Sequence, residues 1–159
     1  LSVMSVYVDG LLINFYRYYL MTQSSMEVQR EARTCMGLIV RNLRVANPDS
    51  VVLDRYNGSQ PVWSRITFRQ TVKYSATTAA PSISYYQSGQ NLYEKITNPA
   101  GTVISTHVFS ANLKSMTFSY ASLAKSSVII IALSFEKSSY EGRKKFMYLV
   151  SQQIELKNT

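Results

Sequence analysis

The segment MEVQREARTCMGLIVRNLRVA, Met26 to Ala46, decides how the rest of the chain is read. Within it Val28, Ala32, Cys35, Met36, Ile39, Val40 and Leu43 recur at spacings of three, four, seven and eight residues. That repeat gathers side chains on one stripe of an α-helix. Arg30, Arg33, Arg41 and Arg44 lie off the stripe and give the helix a basic outer face. Glu27 stands one turn before Arg30, an attractive pair worth about a few tenths of a kcal/mol. Arg41 and Arg44 suit the negative end of the helix dipole. Asn47-Pro48-Asp49 ends the helix, because the residue before a proline is forced out of the α region.

Upstream, no proline interrupts residues 1–46, and Gly10 and Gly37 each cost only about 1 kcal/mol in a helix interior. One helix of about 45 residues is roughly 65–70 Å long. A globule of 159 residues is only about 35–40 Å across. The front half of the helix must therefore protrude. Residues 1–21, LSVMSVYVDGLLINFYRYYLM, are mostly apolar and aromatic, with Asp9, Asn14 and Arg17 scattered among them. A bilayer-spanning helix needs about 20 predominantly apolar residues, and those three polar groups leave the stretch short of that. Leu11, Leu12, Phe15, Tyr16 and Tyr19 are the candidate packing residues, with Tyr18 completing an aromatic cluster suited to a membrane–water interface or to other helices. An ordinary N-terminal core helix is the plainer alternative. The chain opens on Leu1 and not on Met, which points to processing or shortening.

After Pro48 the pattern changes to strands and turns. Strands are expected at Ser50–Tyr56, Val62–Lys73 with Trp63, Ile66 and Phe68 inward, Ile83–Gln87, Leu92–Thr97, Thr102–Phe109, Leu113–Tyr120, Val128–Phe135 and Phe146–Leu156. Asn57-Gly58, Ser88-Gly89-Gln90-Asn91 and Asn98-Pro99-Ala100-Gly101 supply turns. Tyr74–Ser82 reads as a loop, and Ser138–Lys145 as a polar basic turn. VIIIALSF, Val128 to Phe135, is the most hydrophobic run and is expected to be a central strand. The fold class is α+β: a long N-terminal helix (1–48, of which 26–46 packs on the head) and a β-rich head of antiparallel strands (49–159).

The chain offers little chemistry. Its one histidine, His107, sits in a strand pattern and reads as a partly exposed strand residue, not as a catalytic base. Cys35 lies on the apolar stripe, where cysteine behaves as a small hydrophobe, and a single cysteine forms no disulfide within the chain. No cluster of Cys, His and carboxylates has the spacing of a metal site, and no glycine-rich phosphate loop appears. Asp49 and Asp54 lack a Ca²⁺-loop pattern around them. No enzyme activity, metal or cofactor is expected. The net charge of +8 is unevenly spread: residues 1–48 hold five Arg against three acids, and residues 49–159 hold twelve basic against six acidic residues. Lys137, Arg143, Lys144 and Lys145, near Tyr140 and Phe146, are candidate contacts for an anion or a nucleic acid. A solvated hairpin tip that keeps strand edges apart is the preferred reading of them.

Several motifs resemble type IV pilin-like proteins of the minor J-like (type II secretion) or W-like (type IV pilus) group. Gln29, Ala32, Arg33, Arg41, Leu43, Arg44 and Ala46 are similar to the stretch that closes the family's helix. ISYYQSGQNLYEKI (Ile83–Ile96), with Glu94 where Arg is commoner, VFSANLKSMTFSY (Val108–Tyr120), and the runs Val128–Phe135 and Phe146–Leu156 resemble segments of its head, in the same order. The resemblance implies a structural subunit whose helix serves as inner-membrane anchor and then as filament core, with the head in the periplasm or outside the cell. It also implies partners: other pilins or pseudopilins in a tip complex that initiates assembly, and a secreted protein cargo. The family's cleavage site and early Glu do not occur in this sequence, which implies that part of the family's N-terminus is missing from it. Two alternatives stay open: a DNA-binding minor pilin of a competence pilus, and a soluble β-rich adhesin-like domain.

Overall fold

The computed structural model describes residues 2–70, 80–122, 125–138 and 145–156. Its first element, α1, is a single helix, Ser2–Leu43, of 42 residues, which makes it about 63 Å long. The seven stripe residues expected from the sequence are all buried, none more than 5% exposed. Hydroxyls along the helix are satisfied internally: Thr22, Ser24 and Thr34 donate to the carbonyls of Tyr18, Leu20 and Arg30, one turn back.

The helix ends at Leu43, three residues before the expected Ala46. Ala46 leaves the helix to form an isolated antiparallel bridge with Gln70, and the Asn47 N–H donates to the Arg69 carbonyl at 2.8 Å. The extended backbone that Pro48 imposes on Asn47 is thus used to start pairing with the head. A short 3-10 turn, Pro48–Ser50, follows, capped by the Asn47 side chain, which accepts from the Asp49 N–H.

The head is a meander of antiparallel strands in two sheets. Strands β1 (Val52–Asp54), β2 (Arg65–Arg69), β3 (Ser82–Ser88), β4 (Asn91–Thr97) and β5 (Val103–Ser110) form a five-stranded sheet in that order. Strands β6 (Leu113–Ser122), β7 (Lys125–Ser138) and β8 (Lys145–Glu155) form a three-stranded sheet, with β7 in the middle as expected of the VIIIALSF run. One long helix on a head of antiparallel strands makes the chain α+β. The sheets are tied where the Leu113 N–H donates to the Gln90 carbonyl and the Phe118 N–H to the Trp63 carbonyl. The expected loop Tyr74–Ser82 falls mostly outside the described residues, and so does most of the turn Ser138–Lys145.

Alternation sorts the five-stranded sheet into two faces. Register places Leu53, Ile66, Tyr85, Glu94 and His107 in one row across the strands, with Phe68, Ile83 and Ile96 in the next row of the same face. Most of these join the core that α1 caps. The opposite face carries Arg65, Tyr86 and Tyr93 in register, and Tyr56, from the loop after β1, stacks on Tyr86 with ring centroids 4.0 Å apart.

One inward assignment changes. Trp63 is 49% exposed and precedes β2, and its φ of 70° is a conformation that bulky residues rarely adopt. Its carbonyl, held by the Phe118 N–H, fixes the backbone there and leaves the indole outside. In β6 Leu113, Met116 and Phe118 are all buried, although strict alternation would set Leu113 on the face opposite the other two. A register shift between Leu113 and Ser115 absorbs the extra residue and returns Leu113 to the core side.

Gly37 is exposed on α1 with open space where a Cβ would stand, while Ile39 is fully buried. Gly37→Ala is therefore expected to raise stability by about 0.5–1 kcal/mol, and Ile39→Ala to lower it by about 2–5 kcal/mol, both read from urea denaturation midpoints.

Candidate functional site

Among the described residues no three His, Cys, Asp or Glu side chains gather in a way that would hold a metal ion. Cys35 is buried, its Sγ 3.7 Å from the Phe109 carbonyl, and burial, helped by the charge of Glu31, pushes its thiol up to about 12. A thiol held protonated is a poor nucleophile. His107 lies exposed on β5 with its ring tilted toward Phe109. Asp54 is engaged by the guanidinium of Arg65 through both oxygens.

One polar cluster does lie inside. Tyr85 and Glu94 face each other across β3 and β4, and the tyrosine hydroxyl donates to Glu94 Oε1. Asn42 of α1 reaches the same pair, its Nδ2 donating to the Tyr85 hydroxyl and, at 3.3 Å, to Glu94 Oε1. Burial, and then the bond to Glu94, drives the Tyr85 hydroxyl well above the usual phenol range, so it stays protonated and donates. These three residues couple helix to sheet, with Tyr85 and Glu94 buried and Asn42 half-buried. The sequence carried one sign of them: a carboxylate, Glu94, on the inward side of a strand between Leu92 and Ile96.

The basic candidates divide. Lys137 is paired with Glu27 of α1 at 2.7 Å, and Lys145 with Glu136 at 2.7 Å. Both are therefore partly neutralised by carboxylates of this chain. Arg143 and Lys144 lie outside the described residues, so the four are not shown as one cluster.

The exposed feature of the molecule is the front of α1. Leu11, Leu12, Ile13, Phe15, Tyr16, Tyr18 and Tyr19 are 53–72% exposed, whereas the buried stripe begins at Val28. At 3.6 residues per turn Leu11, Leu12, Phe15, Tyr16, Tyr18 and Tyr19 share an arc of about 160°. That arc adjoins the azimuth of the head-facing stripe at Leu11 and Tyr18 and is centred roughly 120° around the helix from it. Met26, Arg30, Arg33, Gly37, Arg41 and Arg44 prolong it, and every one of them is exposed. One face of the rod is thus aromatic at the front and arginine-lined at the back, with the head on the other side.

No family model, curated protein or solved structure matches this chain. Function is accordingly read from the geometry. Among the described residues no helix is long and apolar enough to cross a membrane.

Two outcomes test the polar contacts. Tyr85→Phe removes a buried hydroxyl that accepts from Asn42 and donates to Glu94, and is expected to cost about 1–3 kcal/mol in urea unfolding. Hydrogen bonds from Lys114 and then Lys145 hold the Glu136 carboxyl down from its ordinary 4.5 to about 2. A depressed carboxyl stabilises the fold above its unfolded value, and that contribution is lost as the pH falls through the folded value. Melting temperatures of Glu136→Gln are therefore expected to fall less than those of the parent between pH 4.5 and about 2.

Proposed function

We propose that this protein is a non-catalytic, pilin-like subunit of a pilus or pseudopilus filament, placed at or near its tip. The observation that carries the reading is the geometry of α1: its rear half is built into the head, while its front half offers an apolar and aromatic face that the head leaves uncovered. Such a surface requires another apolar environment, since exposed apolar area is unfavourable in water at about 25 cal/mol per Å². Lipid supplies that environment before assembly, with the tyrosines near the interface of the inner membrane. Neighbouring subunit helices supply it afterwards, packing on the face turned from the head, so that heads lie outside a core of helices. The likeness of the helix-closing and head motifs to minor J-like and W-like subunits supports the same role, and with it contact with a secreted cargo.

A photo-crosslinking side chain placed at Tyr16 in producing cells tests this. It is expected to capture other small single-helix subunits, identified by mass spectrometry, while the same probe at the exposed Thr106 of β5 does not. Capture of lipid alone, or of the chain's own head, would remove the filament role.

A further inference from the structure

We propose that the neighbour packed along the rear half of α1 is a different subunit, one that presents an acidic stripe, and is not a second copy of this chain. The inference rests on the filament reading for its contact face and goes beyond it in naming the partner's chemistry.

Arg30, Arg33, Arg41 and Arg44 stand on the exposed side of α1, spread over about 21 Å of helix. Ion pairs between described side chains, among them Arg65–Asp54, Lys114–Glu136, Lys137–Glu27 and Lys145–Glu136, use none of these four guanidiniums. The same face bears the aromatic cluster further forward, so a helix that covers the aromatics meets the arginines next. A copy of this chain is poorly equipped to meet them. Its carboxylates are largely committed: Glu27, Asp54 and Glu136 to ion pairs, Glu31 to the Asn112 amide at 2.8 Å, and Glu94 to the buried cluster. Among the residues whose side chains are described, only Asp49 and Glu155 remain as exposed acids without a basic partner, and each copy carries a net charge of +8. Like charges brought together at an interface are strongly disfavoured, whereas complementary ones set partner and register. Arginine favours carboxylates, which accept its paired N–H groups.

The test uses the full chain in a non-ionic detergent, with association followed by sedimentation. Two variants are needed, one with all four arginines changed to Glu and one with all four changed to Gln. A mixture of the parent and the Glu variant is expected to associate at least about tenfold more tightly than the parent does with itself, a difference of about 1.4 kcal/mol. Added salt is expected to erase that advantage. The Gln variant, freed of repulsion, is expected to self-associate more than the parent, which keeps the test valid if the Glu variant does not fold. Equal self-association of the parent, the Gln variant and the mixture overturns the acidic partner while leaving the filament reading intact. If none of them associates, and Phe15→Asp changes nothing, the filament reading falls with it. Arginine-dependent binding to vesicles rich in anionic lipid, with no gain in the mixture, would assign the stripe to a membrane surface and overturn the proposal.

Discussion

The burial of one helical stripe, Val28 to Leu43, fixes every other relation in this molecule. Those side chains fill the space beneath both sheets, beside Ile66, Phe68 and Tyr85 on one hand and Ile129, Ile131 and Phe135 on the other. Hydrophobic burial alone sets which face goes inward but is non-directional, and leaves some freedom of rotation and sliding. The Asn42–Tyr85–Glu94 cluster removes that freedom, because its hydrogen bonds hold only at one rotation of the helix. Lys137 with Glu27 adds a second tie, between β7 and the start of the buried stripe. Once the inward face is fixed, the outward face is fixed too. That is why the aromatic and arginine-lined side of the rod has a definite direction relative to the head.

Much of this was legible in the residue pattern. The stripe, the protrusion of the front helix and the central place of Val128–Phe135 follow from periodicity and length, which are local properties of the chain. What escaped the pattern depends on partners far away in sequence. Trp63 has a hydrophobic side chain in a strand-like run, yet its exposure follows from a bond between its carbonyl and Phe118 on the other sheet. Leu113 shifts faces because a bulge is decided by pairing with β7. The helix stops early because Ala46 finds Gln70. None of those pairings can be read from spacing.

The candidate site shows the same division. The aromatics at 15, 16, 18 and 19 announce themselves, because no apolar face of the chain's own domain reaches that far along a rod of this length. The basic loop looked like the obvious cationic feature, since Lys137 and Lys145 stand close to Arg143 and Lys144 in sequence. Their carboxylate partners come from different elements: Glu27 from the helix and Glu136 from the neighbouring strand. A run of positive residues is therefore a poor guide to free positive charge. Arg30, Arg33, Arg41 and Arg44, spaced along a helix, are less conspicuous in sequence and more available in the fold.

That availability has a physical consequence for what the charges are for. Surface ion pairs contribute little to stability, typically about 0–1 kcal/mol each, so leaving four arginines unpaired costs the folded chain almost nothing. It does raise the repulsion between copies of a protein with a net charge of +8. The aromatic front of α1 by itself would accept any apolar helix, including its own copy. In the proposed filament a charged stripe on the same face turns an indiscriminate contact into a selective one, because a wrong neighbour must bring like charges together over the whole length of the stripe. In the proposed assembly the apolar part of the rod thus supplies attraction, and the arginine part supplies the choice of partner.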